Sequence, residues 1–307
     1  MSEHRRLPPA PTHWLAVPSP IAALFKRVPL AVYPANDLPL RSPSSERDRT
    51  LPILYVFTTE DGARGGRPSF NPSCLKWQTI LKIARVPFTT RPSNNHSSPT
   101  GALPFLLPPP SSTPSNNFPI PSGDPLLNHA LSNAAPPNIL DDTVTPRQEA
   151  YISLITLKIR PALLHALYIN KANTPLLKAL YIDPSSRNII VRSTLLHQVR
   201  GAAESEILST TRRGFVDTDV LYADARTAFS ALETALLEAV GSAGAGGFFS
   251  GAEEAAILDA EVFAYTNLVL DETLGWVDTH LRDVLSGYSA LTRHREKMLR
   301  TYFPEAA

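Results

Sequence analysis

The chain has 307 residues, a formal net charge of +1, 30 prolines and a single cysteine. A near-neutral balance gives no electrostatic case for nucleic acid as a partner, and one cysteine, Cys74, excludes an intrachain disulfide and a cysteine-built zinc site. The apolar run from Leu15 to Phe25 is broken by Pro18 and Pro20 and followed by Lys26 and Arg27, unlike a secretory signal, and no stretch reads as the roughly 20 mainly apolar residues of a membrane-spanning helix.

Residues 1–50 form a proline-rich segment without a sustained period. It carries apolar clusters around Trp14, around Leu24 and Phe25, and around Leu30 and Tyr33. Such groups gain nothing from free solvation, so the segment reads as an extended arm, either strapped to its own domain or laid on another subunit. Ile53 to Thr58 is a short apolar, β-branched and aromatic run and predicts a buried strand. The run GARGGRP reads as a glycine-rich loop, and Ser73 to Ala84 as an amphipathic helix with Cys74, Trp77, Leu81 and Ala84 near one face. Val86 to Thr90 and Ala102 to Leu107 are further strand candidates. Residues 108–117, PPPSSTPSNN, are a low-complexity insertion with no means of forming a core.

Proline thins out beyond residue 150, and long helical patterns take over. They run near Arg147 to Tyr168, Pro175 to Tyr181, Ser186 to Thr210, Asp217 to Val240, Glu253 to Leu270, Thr273 to Leu285 and Leu291 to Tyr302. Asp217 suits an N-cap, Pro161 predicts a kink or a break, and GSAGAGG at Gly241 to Gly247 predicts a helix stop. The expected organisation is an arm over 1–50, a small α/β domain over 51–135 and a helical domain over 145–307.

Three segments carry a family resemblance. NPSCLKWQTILKIARVPFTTRPSNN, from Asn71 to Asn95, resembles the first βαβ unit of thioredoxin-like and glutathione-transferase proteins. GALPFLL, from Gly101 to Leu107, resembles the turn where that family carries a cis-proline, here Pro104. FFSGAEEAAILDAEVFAYTNLVL, from Phe248 to Leu270, resembles the buried helix of the C-terminal domain with its internal acid, here Asp259. The resemblance implies α/β plus all-α: a thioredoxin-like N-terminal domain followed by a helical bundle. It assigns Asp259 a structural role, although Ala256 stands where the usual capping box has Ser or Thr.

More closely, Asn71-Pro72-Ser73-Cys74, Arg91 to Asn95 and Gly101-Ala102-Leu103-Pro104 resemble the pattern of fungal metaxin-like proteins, and the arm resembles that of the smaller metaxin-like subunit of the mitochondrial sorting and assembly machinery. That resemblance implies a non-enzymatic, peripheral subunit on the cytosolic face of the mitochondrial outer membrane. Its partners would be a membrane-embedded β-barrel assembly subunit, a second metaxin-like subunit and the targeting segment of a β-barrel precursor. Trp14, Leu24, Phe25, Leu30 and Tyr33 would bind the assembly. Ser73, Asn94, Asn95, Leu103 and Pro104 would form a groove pairing with the precursor by backbone hydrogen bonds.

Enzymatic readings rest on Asn71 to Cys74. Dithiol exchange needs two thiols, and the first position holds Asn71. A glutathione transferase needs a group that stabilises the glutathione thiolate. Ser73, Cys74 and Tyr55 are the candidates, with Cys74 most simply a buried structural residue. The acidic-Ser pair expected after the fourth strand has no clear match in Pro119 to Leu131, where Gly123-Asp124 reads as a turn. The eight histidines show no metal spacing. No cofactor and no metal are expected. The alternatives to the barrel-assembly reading are a glutathione-dependent transferase and a soluble adaptor with a transferase-like fold.

Overall fold

The computed structural model describes residues 50–110, 118–135, 145–243 and 247–306. The arm residues Trp14, Leu24, Phe25, Leu30 and Tyr33 lie outside the described residues, as do 111–117 of the insertion and 244–246 of the glycine tract.

β1 (Ile53–Val56) is buried at every position, as an apolar run between two neighbours requires. A short helix α1 (Glu60–Arg64) follows where a glycine-rich loop was expected; the Gly62 amide is capped by Thr59 Oγ1 at 3.0 Å. A Cβ at Gly62 would stand 2.7 Å from Thr58 Oγ1, so the Thr58 side chain would have to shift to admit one. α2 (Pro72–Ile83) starts with Asn71 as N-cap and proline in its first turn. Its buried side is wider than one stripe: Cys74, Leu75, Trp77, Gln78, Ile80 and Leu81 are all enclosed.

The second strand lies later than its apolar content suggests, at β2 (Thr89–Pro92). Val86 is spent on ending α2: its amide reaches back to the Leu81 carbonyl at 3.0 Å, with Arg85 in the left-handed region at φ 56°. β3 (Phe105–Leu107) and β4 (Ile120–Pro121) complete a four-stranded sheet of order β2-β1-β3-β4. β1 runs parallel to β2 with Ile53 opposite Thr89, and antiparallel to β3 with Tyr55 opposite Phe105. β4 is antiparallel to β3, with Phe105 opposite Pro121. α3 (Asp124–Ser132) closes this part.

α4 spans Pro146–Ile169 without a break at Pro161. A proline lacks the N–H of the ladder and its ring crowds the carbonyl one turn earlier. Here π-helical stretches at Ile155–Ile159 and His165–Ile169 flank it and let one helix continue. By length and composition α4 could cross a membrane, contrary to the expectation that no such stretch exists. It behaves as a packed helix instead: Ile155, Ile159, Ala162, Leu163, Ala166 and Leu167 are buried. Its Lys158 and Arg160 pair with Asp224 at 2.7 Å and Glu206 at 2.5 Å.

The remaining helices are α5 (Thr174–Leu177, continued in π form over Lys178–Ile182), α6 (Ile189–Thr211), α7 (Thr218–Ala243), α8 (Ile257–Leu270), α9 (His280–Ser286) and α10 (Ser289–Tyr302). Asp217 caps α7 as expected, its Oδ1 accepting the Val220 amide at 3.2 Å.

α8 is buried from Ile257 to Val269 and packs against α2, α4, α9 and α10. Asp259, fully enclosed, accepts three hydrogen bonds: from the amides of Phe249 at 3.0 Å and Ala256 at 2.9 Å, and from His294 Nε2 at 2.9 Å. Ala256 has no side-chain oxygen to return the bond, so half of a capping box remains and His294 of α10 supplies a further partner. Lys76 of α2 meets Glu261 of α8 at 2.6 Å, joining the sheet-bearing part to the bundle.

Asp259→Ala leaves two amides and a buried imidazole without their acceptor, and should lower unfolding stability by about 3–5 kcal/mol. A urea titration followed by circular dichroism measures this; a midpoint within error of wild type would remove Asp259 from its structural role.

Candidate functional site

The register fixes which loops share an end of the sheet. The C-terminal ends of β1, β2 and β4 and the N-terminal end of β3 lie together. That edge therefore gathers the approach to α2, the Asn94-Asn95 turn, the Leu103-Pro104 segment and the Ser122-Gly123 turn that opens α3. Residues far apart in the chain converge there because strand direction alternates around β3.

At the start of α2, Asn71 Oδ1 accepts the Cys74 amide at 3.2 Å, while Asn71 Nδ2 donates to the Tyr181 hydroxyl at 3.3 Å. The Tyr181 hydroxyl in turn donates to the Phe70 carbonyl at 3.3 Å. Phe57 and Phe70 stand edge-on to Tyr181 at 5.1 and 5.4 Å, and Tyr168 is tilted beside it at 5.8 Å. An amide carries two N–H groups, and Tyr181 takes one of them. Ser73, one position inside the helix, is exposed.

Cys74 is wholly buried, and that burial pushes its thiol up to about 12 against the smaller opposing effects of hydrogen bonds with the Phe57 backbone and Ser69. It is a neutral core group and offers no thiolate. Tyr55, the third sequence candidate, is enclosed in the sheet with its ring stacked 4.6 Å from Phe105. Burial raises Tyr168 to about 12 and Tyr181 well above the ordinary phenol value, so both phenols stay protonated at neutral pH.

Asn94, Asn95, Leu103 and Pro104 sit at one corner of the same edge. The Leu103-Pro104 bond is cis, a state the sequence alone left open. Asn94 Oδ1 accepts the His96 amide at 3.0 Å, and Asn95 Oδ1 accepts the Leu103 amide at 3.0 Å. At the neighbouring turn, Gly123 adopts φ 103° and no side chain caps α3, whose first residue is Asp124. Against Phe70 opens a cleft of about 1140 Å³ reaching the helical part, with Arg67, Leu180, Asn267, Asp271 and Arg295 among its walls. Among the described residues, no group of three or more His, Cys, Asp and Glu side chains is placed to hold a metal.

The predicted site residues thus separate: Ser73 and the pair Asn95 and Leu103 reach the edge, Pro104 shapes it, and Cys74 and Asp259 lie in the core. Asn71 as a polar group and Tyr181 and Tyr168 as its neighbours escaped the sequence reading. Nothing in the spacing between Asn71 and Tyr181 signals their contact; it exists because α5 returns to the start of α2.

A thioredoxin-like domain followed by an all-helical bundle is the glutathione S-transferase fold, and the chain has it. The family model described as glutathione S-transferase N-terminal domain matches residues 72–173, and that described as glutathione S-transferase, C-terminal domain matches residues 225–298. Among solved structures, a glutathione S-transferase of Ceriporiopsis subvermispora in complex with glutathione is 12% identical with a TM-score of 0.51, covering 82% of this chain and 98% of its own. Glutathione transferase GSTFuA3 from Phanerochaete chrysosporium is 10% identical with a TM-score of 0.46, over 78% of this chain and 97% of its own. No curated protein matches the chain by sequence.

These matches correct the function expected from the metaxin-like resemblance. Transferase domain models on both halves overturn the non-enzymatic barrel-assembly role and the placement on the mitochondrial outer membrane. The physical reason lies in the motifs used. The Asn-Pro start of α2 and the Gly-x-Leu-Pro turn before β3 serve the backbone geometry of the thioredoxin-like part, so they report fold and do not by themselves specify a membrane role.

In native protein, Cys74 should resist a chromogenic disulfide reagent at pH 8 and react fully in denaturant; rapid native labelling would contradict its buried, protonated state. Because folding raises Cys74 and Tyr168 to about 12, their contribution to stability is present below their ordinary values near 9 and 10 and is lost as pH rises through 12. Thermal midpoints measured between pH 8 and 11.5 should therefore fall above pH 9.

Proposed function

We propose that the protein is a glutathione-dependent transferase in which Asn71, rather than Ser73 or Cys74, faces the reacting sulfur. The observation that carries this reading is the doubly held carboxamide at the start of α2. Its oxygen is fixed by the Cys74 amide and one N–H by Tyr181, which aims the group without consuming its second N–H.

The chemistry asked of the site is modest. A thiol near its ordinary value of about 8.5 is mostly protonated at neutral pH. The partial positive charge at the N-terminus of a helix and an amide donor both favour its thiolate. The thiol proton passes to water, the sulfur pair forms a bond to an electrophilic carbon, and the displaced group leaves with the electrons of the bond it breaks. Tyr181 stays protonated and positions Asn71. The cleft beside Phe70 offers room for the second substrate, with both apolar and charged walls.

The transferase domain models on both halves support the same reading. The departures noted in the sequence still hold, since no acidic-Ser pair opens α3; backbone groups of the edge therefore have more of the peptide to hold.

The test is calorimetric titration with glutathione together with turnover of an activated aryl halide. Asn71→Asp keeps the helix cap but places an anion where the donor stood. It should cut kcat/KM by about tenfold or more and move the thiol-ionisation limb of the pH profile upward, with an unchanged Tm. Ser73→Ala should stay near wild type. Absence of both glutathione binding and turnover in the wild-type protein would sink the reading.

A further inference from the structure

Leu103 lies beyond both ladders of β3. The pairing with β1 ends at Phe105 opposite Tyr55, and that with β4 ends at Phe105 opposite Pro121. Its amide therefore has no strand partner, although Leu103 is only 5% exposed. A buried donor left unpaired is costly. The acceptor it has is a side chain, Asn95 Oδ1 at 3.0 Å, from a residue that is itself exposed.

The turn that presents Asn95 is held independently of this bond. Asn94 Oδ1 binds the His96 amide at 3.0 Å, and the amides of Ser97 and Ser98 return to the carbonyls of Asn94 and Asn95 at 3.1 and 3.2 Å. The carboxamide of Asn95 can rotate into water without unwinding that turn. Its oxygen occupies the place that the carbonyl of an added extended peptide would take against the end of β3.

We infer that Asn95 is an internal stand-in for a ligand carbonyl, and that an extended peptide pairs with the Leu103 amide only by displacing it. The inference deepens the glutathione reading above and rests on it. Asn95 thus sets affinity and selectivity at this edge. Displacement exchanges one neutral hydrogen bond for another, so a ligand gains from the contact only if its main chain is extended and its carbonyl well aimed. Non-peptide thiols gain nothing there.

Full-length wild type, Asn95→Ala and Asn95→Asp are titrated calorimetrically with glutathione and with 2-mercaptoethanol. The Leu103 amide is followed in nitrogen-15 spectra. Asn95→Ala should bind glutathione about three- to tenfold more tightly, since the internal competitor is gone. Asn95→Asp should bind more weakly, because a charged acceptor holds the amide harder. The Leu103 resonance should shift on binding, and affinity for 2-mercaptoethanol should not change across the three proteins. Glutathione binding with equal or lower affinity in Asn95→Ala, or with an unmoved Leu103 resonance, overturns this inference and leaves the transferase reading standing. No glutathione binding by any of the three proteins overturns both.

Discussion

One helix imposes the order of the rest. α8 is buried around its whole circumference, so the chain must supply cover on every side, and it does so with α2 from the sheet-bearing part and with α4, α9 and α10 from the bundle. A helix with apolar residues on every side, left half covered, would expose more apolar area than a helix with one apolar stripe. Of its two buried acids, Glu261 meets Lys76 and Asp259 is tolerated because three donors converge on it. One of these, His294, comes from α10, so polar satisfaction and apolar cover bind the same elements.

That arrangement determines the functional edge. With α2 pressed on α8, the start of α2 faces the helices that also line the core, and Tyr181 can hold Asn71 from the other part of the molecule. The sheet supplies the opposite wall. Its strand order places the Leu103 amide and the uncapped start of α3 at the same end. Neither part has the site alone. The cleft beside Phe70 is likewise walled by loops of the first part and helices of the second.

The function drawn from the metaxin-like resemblance is corrected because the residues that carry it serve the backbone of the fold. Asn71 and Pro72 start a helix, and Leu103 and Pro104 shape a strand end. Short motifs that satisfy backbone geometry speak for architecture. The polar groups at the same edge, the Asn71 carboxamide and the Leu103 amide, are the ones on which the proposed glutathione reading rests.

Much of the fold was legible from local chemistry. The β1 run, the α2 pattern, the Asp217 cap and the long apolar α8 follow from burial period and capping, which act over a few residues. The misses have equally local causes. Val86 went to a helix end rather than a strand, and π turns carried α4 past Pro161. The candidate site was less legible. Sequence nominated Ser73, Cys74 and Tyr55 and already read Cys74 and the Tyr55 strand as buried, and packing encloses both in the core. The contacts of Asn71 with Tyr181 and of Asn95 with Leu103 exist only once α5 and β3 are placed. Sequence by itself determined most elements, because hydrophobic period and capping are local, and the fold class, through the resemblance of three segments to known transferases; tertiary structure decided the site, because hydrogen bonds between distant segments depend on where the core puts them.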